Sequence, residues 1–436
     1  MRLFPDSAVG KAGMDPLARC DRALELMLTN RGNPAAEVDR ALEDAPQFIF
    51  GHCLRTALIV RTDDVTARFA LAVSVTVIET ACLDKDDPAR RHAAAARAWL
   101  DGEQGLAAER YGAILDDRPR DILALAAAHA LDFRLGQRRM LRDRLARVIS
   151  EWDAAVPGYP SVLAMYAFGL EENGHYRRAE KMARRALALD PRHPGAIHVL
   201  AHVMEMQGRA REGLAFLADT EPAWRDAEGI SVHLAWHRAL FYLEADDPKS
   251  ALAVYDEQVA NTRTPDMAAL SDASALLWRL QLRNVQVGAR WRHLADNWER
   301  QPLTGARPFY AVHAIMAFAA VGRIAAATRV FETLPLADTG SDILSYPEDA
   351  LTPPLCKALL AFARGDYAAC VESLKRVRSI AHRCGGSLAQ CDLIHLTFTE
   401  AALRAHKASL ARALVAERTA LKPQSRLNRL LQQRLG

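Results

Sequence analysis

The chain has 436 residues, of which 50% are hydrophobic and 25% charged; these proportions exclude a disordered or fibrous polypeptide. Lys and Arg number 56 against 53 Asp and Glu, and the resulting formal charge of +3 provides no broad field for nucleic acid or a membrane surface. A single compact core rarely grows past roughly 250–300 residues, so the length implies two domains or an elongated array.

Residues 1–85 read as an N-terminal helical cap. They open on MRLFPDSAVGKAGMDPLARCDRALEL, which lacks the uninterrupted apolar stretch of a secretory signal. Their most apolar run, Phe69 to Leu83, contains Thr76, Glu79 and Thr80 and falls short of the roughly 20 residues needed to cross a bilayer. It reads as a core helix. The seven cysteines, at 20, 53, 82, 356, 370, 384 and 391, include no CxxC pair. An odd and sparse set of this kind fits neither a disulfide framework nor a zinc ribbon and suits a reducing compartment. A cytoplasmic location, with no membrane or nucleic-acid partner, is therefore expected.

Residues 86–336 carry a repeat. In PSVLAMYAFGLEENGHYRRAEKMARRALALDP (160–191), Ala167, Gly174, Tyr176, Ala179, Ala186 and Pro191 occupy the signature positions of a tetratricopeptide unit, two antiparallel helices with a period of 34 residues. Small Ala167 and Ala179 allow close helix approach, Gly174 allows the tight turn, and Pro191 stops the second helix. Upstream, Gly102, Ala107, Tyr111 and Pro119 fit the same frame, with Gly136 one period on. Downstream come Gly208 with Ala201 and Gly213; Ala239, Asp247, Ala251 and Tyr255; Gly322, Ala327 and Phe331; and Gly365, Tyr367 and Cys370. Strand signals are nearly absent, since the β-branched run Val73–Ile78 lies in an Ala-rich helical context. The expected fold is all-α, a tetratricopeptide-like right-handed superhelix of antiparallel helix pairs.

The period breaks at Pro157–Pro160, at Thr220–Ile230 and most widely at Ala337–Pro354, a stretch rich in Pro, Gly and Asp. The last is either a connector or a segment that closes over a groove. Residues 337–436 read as the final repeats and a C-terminal helical cap. From Arg404 to Arg434 that cap is basic, with Glu417 its only acid, and is expected to present a solvated face. Without interleaved aromatic residues it does not suit RNA.

Several blocks carry polar residues beyond a bare repeat: AIHVLAHVMEMQGRAREGLAFL (196–217), VHLAWHRALFYLE (232–244), SDASALLWRLQL (271–282), GGSLAQCDL (385–393) and LVAERTALKPQSRLNRLLQQRL (414–435). In type and order they resemble the tetratricopeptide repeat protein 38 family, from about residue 90 to the C-terminus. Cys391 departs from the basic residue expected there. The resemblance implies the solenoid fold and supplies no biochemical activity.

The candidate site lies in the middle of the repeats. In a tetratricopeptide unit the first helix lines the concave side, with positions 2, 5, 9 and 12 facing the groove. Counting from Pro194 places His198, His202 and Glu205 at positions 5, 9 and 12, a spacing that puts them on one helical face. Counting from Val232 places His233, Trp236 and His237 at positions 2, 5 and 6, and the preceding unit offers Glu171 and Glu172. Histidines at i and i+4 with a carboxylate make a ligand set for zinc or non-haem iron, so His198, His202 and Glu205 are the metal candidates. HVLAH lacks the Glu of a zincin motif. The same histidines with Glu205 suit acid–base catalysis, and hydrogen-bonded structural histidines would account for them without any activity.

Further candidates lie downstream. Ser271, Asp272 and Ser274 read either as N-caps or, in Asp272, as a ligand contact. Trp278 and Arg279 read either as a groove contact or as core packing, and His313, which occupies the place in its unit that His237 has in its own, reads either as facing the same channel or as a satisfied core histidine. Gly385-Gly386-Ser387 reads either as an anion-holding helix N-terminus or as a turn joining two helices. Cys384, beside His382 and Arg383, is a thiol with basic neighbours. No nucleophile elbow or phosphate loop is present. The leading expectation is a protein that binds a small molecule or peptide in a concave His/Glu-lined pocket, with an oligomer allowed. The alternative is an enzyme using those residues as divalent-metal ligands or as general acid and base. A plain scaffold is the third reading.

Overall fold

A backbone turn that only a few residue types tolerate links the helices two by two. It is adopted at Asn30, Asp63, Gly102, Gly136, Gly174, Gly208, Asp246, Asn284, Gly322, Gly365 and His406, all at positive φ between 53° and 87°. In each case the following N–H reaches five residues back, as in His175 N to Leu170 O at 2.9 Å and Arg209 N to Met204 O at 2.8 Å. This is the Schellman closure, which satisfies carbonyls that the helix end would leave bare. The computed structural model describes residues 15–84, 86–227, 229–260, 265–303, 307–332 and 351–435, and among these there is no strand. The expected all-α architecture of tetratricopeptide-type helix pairs is what the structure shows.

The chain divides into two compact units, Met1–Leu200 with Thr220–Ser231, and Ala201–Asp219 with Val232–Gly436. In the first, the pairs include Pro88–Leu100 with Gln104–Asp117, Ile122–Arg134 with Arg138–Val148, and Tyr159–Glu171 with Tyr176–Leu189. The insertion at 220–230 forms the short helix Glu221–Trp224 and buries Trp224. Arg31 ties it down by donating to Ala223 O at 2.9 Å. The Arg68–Ala81 helix buries Leu71, Val75 and Ile78. Phe69 is 82% exposed and Leu83 is 83% exposed, so only one stripe of that apolar run belongs to the core.

Close packing in this unit depends on missing side chains. A Cβ at Gly169 would stand 2.2 Å from Leu141 O on the neighbouring helix, so the two helices touch backbone to side-chain void. Gly169→Ala is expected to cost about 1–3 kcal/mol through overpacking, measured as a lowered melting temperature. An unchanged melting temperature would mean that the helices part freely. At Gly112 the vacant Cβ position is filled by Arg144, whose Nη1 would lie 1.7 Å from it. Arg144 there holds the fully buried Asp132 with Nε and Nη2 at 2.7 and 3.0 Å.

The second unit contains Ala210–Asp219, Ser231–Glu244 from Val232 onward, and Pro248–Val254, which continues as a π turn over Tyr255–Val259. Met267–Leu282, Arg290–Glu299, Pro308–Ala320, Ile324–Glu332, Thr352–Ala363, Tyr367–Val377, Leu388–Arg404, Ala408–Leu421 and Arg426–Gln433 follow. In the second of these turns the left-handed residue is Asp246, while Asp247 caps the next helix by accepting from Ser250 N at 3.0 Å. Trp278 anchors the core, donating from Nε1 to Thr397 Oγ1 at 2.9 Å with Trp291 and Phe362 against its ring. The stretch from 337 lies outside the described residues as far as 350, and its last residues enter the Thr352–Ala363 helix.

Candidate functional site

His202 lies on the Pro194–Met206 helix, and His233 and His237 lie one turn apart on Ser231–Glu244. One ring nitrogen of each of the three lies within 4.8 Å of the others. Ring centroids are 4.5 Å apart for His202 and His237, 4.8 Å for His233 and His237, and 6.5 Å for His202 and His233. His202 and His237 are fully buried. Trp236 is buried too, stacks on His233 at 5.2 Å with 15° between planes, and meets His237 edge-on at 4.9 Å.

Two carboxylates orient these rings. His237 Nδ1 donates to Glu205 Oε2 at 3.0 Å, and His233 Nδ1 donates to Asp272 Oδ2 at 2.8 Å. Each carboxylate has a second partner. Lys422 Nζ donates to Glu205 Oε1 at 3.1 Å, and Gln390 Nε2 to Asp272 Oδ1 at 3.4 Å. Burial alone would raise the Glu205 pKa, but the Lys422 ammonium and the hydrogen bond from His237 outweigh it and hold the carboxyl well below its usual range. Burial pushes His237 down to about 3, with the neighbouring histidines adding to the fall and Glu205 opposing it. It is a neutral imidazole at neutral pH.

Arg279 approaches from Met267–Leu282. Its guanidinium lies over the Trp236 ring at 5.4 Å, and Nη2 donates to Ala389 O at 2.7 Å. Burial lowers its pKa, and Asp392, Glu205 and Asp272 partly restore it. Asp266, not Ser271, Asp272 or Ser274, caps this helix, accepting from Ala269 N at 2.8 Å. Those three residues are interior. Ser271 and Ser274 return their hydroxyls to Met267 O and Leu270 O, which leaves Asp272 for His233. The Gly385-Gly386-Ser387 turn is a capping box. Ser387 Oγ accepts from Gln390 N and Gln390 Oε1 accepts from Ser387 N, so the turn reading holds and the same glutamine amide reaches Asp272.

The C-terminal segment enters where a solvated basic face was expected. Arg418 and Lys422 are buried, at 3% and 9% exposure. Arg418 pairs with Asp392, which Arg418 and Lys422 hold far below a usual carboxylate pKa against the effect of burial. Asn428 links the two by accepting from Arg418 Nε at 3.1 Å and donating to Lys422 O at 3.1 Å. Ser425 Oγ donates to Glu244 Oε2 at 3.1 Å. Gly208 admits the strand of chain beside it, since a Cβ there would meet the Gln424 carbonyl at 3.0 Å. Lys422, Arg418, Asp392 and Gln390 are the residues that repeat positions could not reveal; their signal was the polar content of the blocks 385–393 and 414–435.

His198, Glu171 and Glu172 belong to the first unit. There the His198 ring stacks on Phe168 at 5.8 Å, and Glu172 pairs with Arg138 at 3.3 Å. Glu171 is fully buried; with Glu172 it adds to the burial that pushes Tyr176 up to about 12. A buried Ser161–His193 pair at 2.8 Å resembles a nucleophile and its base. However, His193 Nδ1 accepts from Ala196 N, so Nε2 carries the proton and donates to the hydroxyl. That pair caps a helix. Cys384 is buried and its thiol pKa is raised by burial, so its basic neighbours do not activate it.

His313 donates from Nδ1 to Phe309 O at 2.7 Å. Burial holds its pKa down at about 4, with Asp272 raising and Arg279 lowering it. The unfolded chain binds this proton from about pH 6.5 downward and the folded chain does not. The contribution of His313 is therefore complete above pH 6.5 and declines toward pH 4, by about 2 kcal/mol at pH 5. His313→Gln should flatten the melting temperature against pH across that window. An equally steep profile would refute the assignment.

No helix among the described residues is long and apolar enough to cross a membrane. Among solved structures, the chain is similar to the APC/C hetero-tetramer Cut9–Hcn1, with 11% identity over 96% of this chain and 70% of that one and a TM-score of 0.48. It is also similar to the human IFIT1 dimer with m7Gppp-AAAA, with 12% identity over 98% and 90% of the two chains and a TM-score of 0.40. Neither likeness bears on ligand or chemistry. A tetratricopeptide repeat family model matches residues 160–203. The chain thus carries a tetratricopeptide repeat within an all-α array of helix pairs, a fold suited to binding or scaffolding.

Proposed function

We propose that this protein binds a small molecule at the histidine–carboxylate cluster of its second unit, and that the ligand carries an anionic group, a carboxylate or a phosphate. Arg279 carries this reading. It is 5% exposed, and its Nη1 donates to no described residue. A buried guanidinium donor left without an acceptor is costly, and a bound oxyanion supplies the bidentate partner that guanidinium geometry favours. The burial of Trp236, Asp272 and His237 favours a small ligand over an extended peptide, which would lie along open surface. The resemblance to the tetratricopeptide repeat protein 38 family agrees with the fold and adds no activity.

An enzymatic reading has one specific support: the His237 imidazole is held in one tautomer by the Glu205 carboxylate, the geometry of an oriented acid–base pair. Binding is tested first, by thermal shift of the full chain against a panel of small carboxylates and phosphates. At a hundredfold excess over Kd a ligand stabilises by about 2.7 kcal/mol. At least one panel member is expected to raise the melting temperature of the wild type and to lose that effect in Arg279→Lys. No shift across the panel, or a shift equal in both proteins, would sink the reading.

A further inference from the structure

The three-histidine cluster has the makings of a metal centre. Three imidazoles on one zinc ion have ring centroids roughly 5 Å apart, given the metal–nitrogen length and tetrahedral angles. The observed separations of 4.5, 4.8 and 6.5 Å bracket that value. Two of the histidines come from successive turns of one helix and the third from a neighbouring helix, so backbone elements hold the set from two sides.

The surroundings match what an imidazole-bound ion needs. Because Glu205 and Asp272 take the Nδ1 protons of His237 and His233, Nε2 is the nitrogen each ring would offer. Carboxylates behind the ligands fix the tautomer and raise ring basicity, and such partners are themselves held in place. Lys422 and Gln390 hold them here.

The geometry points to a divalent first-row transition ion, of zinc type, bound by His202, His233 and His237, with Glu205 and Asp272 as its outer carboxylates. This assignment rests on the reading of the same cluster as the ligand site. A donor set of three neutral nitrogens excludes calcium and magnesium, which take oxygen ligands. His202, His233 and His237 supply three imidazole nitrogens, the number of protein ligands in many zinc sites that act on a ligand. Glu205, a direct ligand in the sequence-based reading, becomes an orienting group.

The test uses the full chain without a polyhistidine tag, stripped with chelator and titrated with Zn(II) or Co(II) alone. The wild type is expected to bind stoichiometric metal, read by elemental analysis, and to give the visible ligand-field absorption of low-symmetry cobalt(II). His233→Gln and His202→Gln should each abolish stoichiometric binding. Asp272→Asn, which removes no ligand, should weaken it about 10–100-fold, with circular dichroism confirming that the helices remain. Failure of the wild type to bind either ion, or binding unchanged in the histidine variants, would overturn the assignment. If no metal binds while the anion panel still gives an Arg279-dependent shift, the metal centre alone is refuted. If metal binds and no anion does, the small-molecule reading falls instead.

Discussion

Glu205→Ala is expected to destabilise the second unit by about 3–5 kcal/mol, because it strands the Lys422 ammonium beside a buried imidazole. The loss is one of compensation rather than of contact. Glu205→Gln tests this, since the amide oxygen can still accept from His237 Nδ1 while the ammonium keeps only Asp392, which Arg418 already pairs, so most of the loss should remain. Glu205→Leu combined with Lys422→Met should recover most of it, as replacing both members of a buried ion pair by apolar groups is often neutral or stabilising. Thermal and denaturant unfolding of the three variants would settle the point. A double variant no more stable than Glu205→Ala would show that packing, not charge, dominates there.

The second large effect belongs to the first unit. Arg144→Ala should cost about 3–5 kcal/mol by leaving Asp132 ionised or protonated without its bidentate partner in a fully buried position. Arg144→Ala with Asp132→Leu should be markedly more stable than Arg144→Ala alone. Gly112 gives an independent check. In the wild type, Gly112→Ala collides with the guanidinium, whereas in the double-variant background the collision is gone and the added methyl should be tolerated. The coupling between positions 112 and 144 is the quantity to measure, and strict additivity would contradict the geometry.

Much of the fold was legible because its turn is stereochemically demanding. Where glycine supplies the left-handed residue, as at 102, 136, 174, 208, 322 and 365, the period can be read from the letters alone. Where Asn30, Asp63, Asn284 or His406 takes the same conformation, the pair is identical in backbone but silent in the sequence. Helix starts were harder. The polar cluster at 271–274 reads like a cap, yet Asp266 does that work five residues earlier, and the serines are satisfied by back-bonding to their own helix.

The site was legible to the extent that it follows helical periodicity. Positions counted from Pro194 and Val232 single out His198, His202, Glu205, His233, Trp236 and His237; the structure places His198 in the first unit and the others in the second. Periodicity says nothing about partners distant in sequence. Lys422 lies 217 residues from Glu205, and Gln390 lies 118 from Asp272. A basic run reads as a solvated face unless the acids it meets are known, so burial of Arg418 and Lys422 could come only from the fold.

That long span has a consequence for biosynthesis. During translation Glu205 emerges 217 residues ahead of the ammonium that neutralises it. Until Lys422 emerges, the helices bearing Glu205 and His237 either stay apart or pack around an unbalanced charge. The second unit therefore commits only once Lys422 has emerged. A chain interrupted between the Leu388–Arg404 helix and Lys422 would keep the helices that bear Glu205, His237 and Asp272 and lack the ammonium that balances them, a natural substrate for quality-control proteolysis.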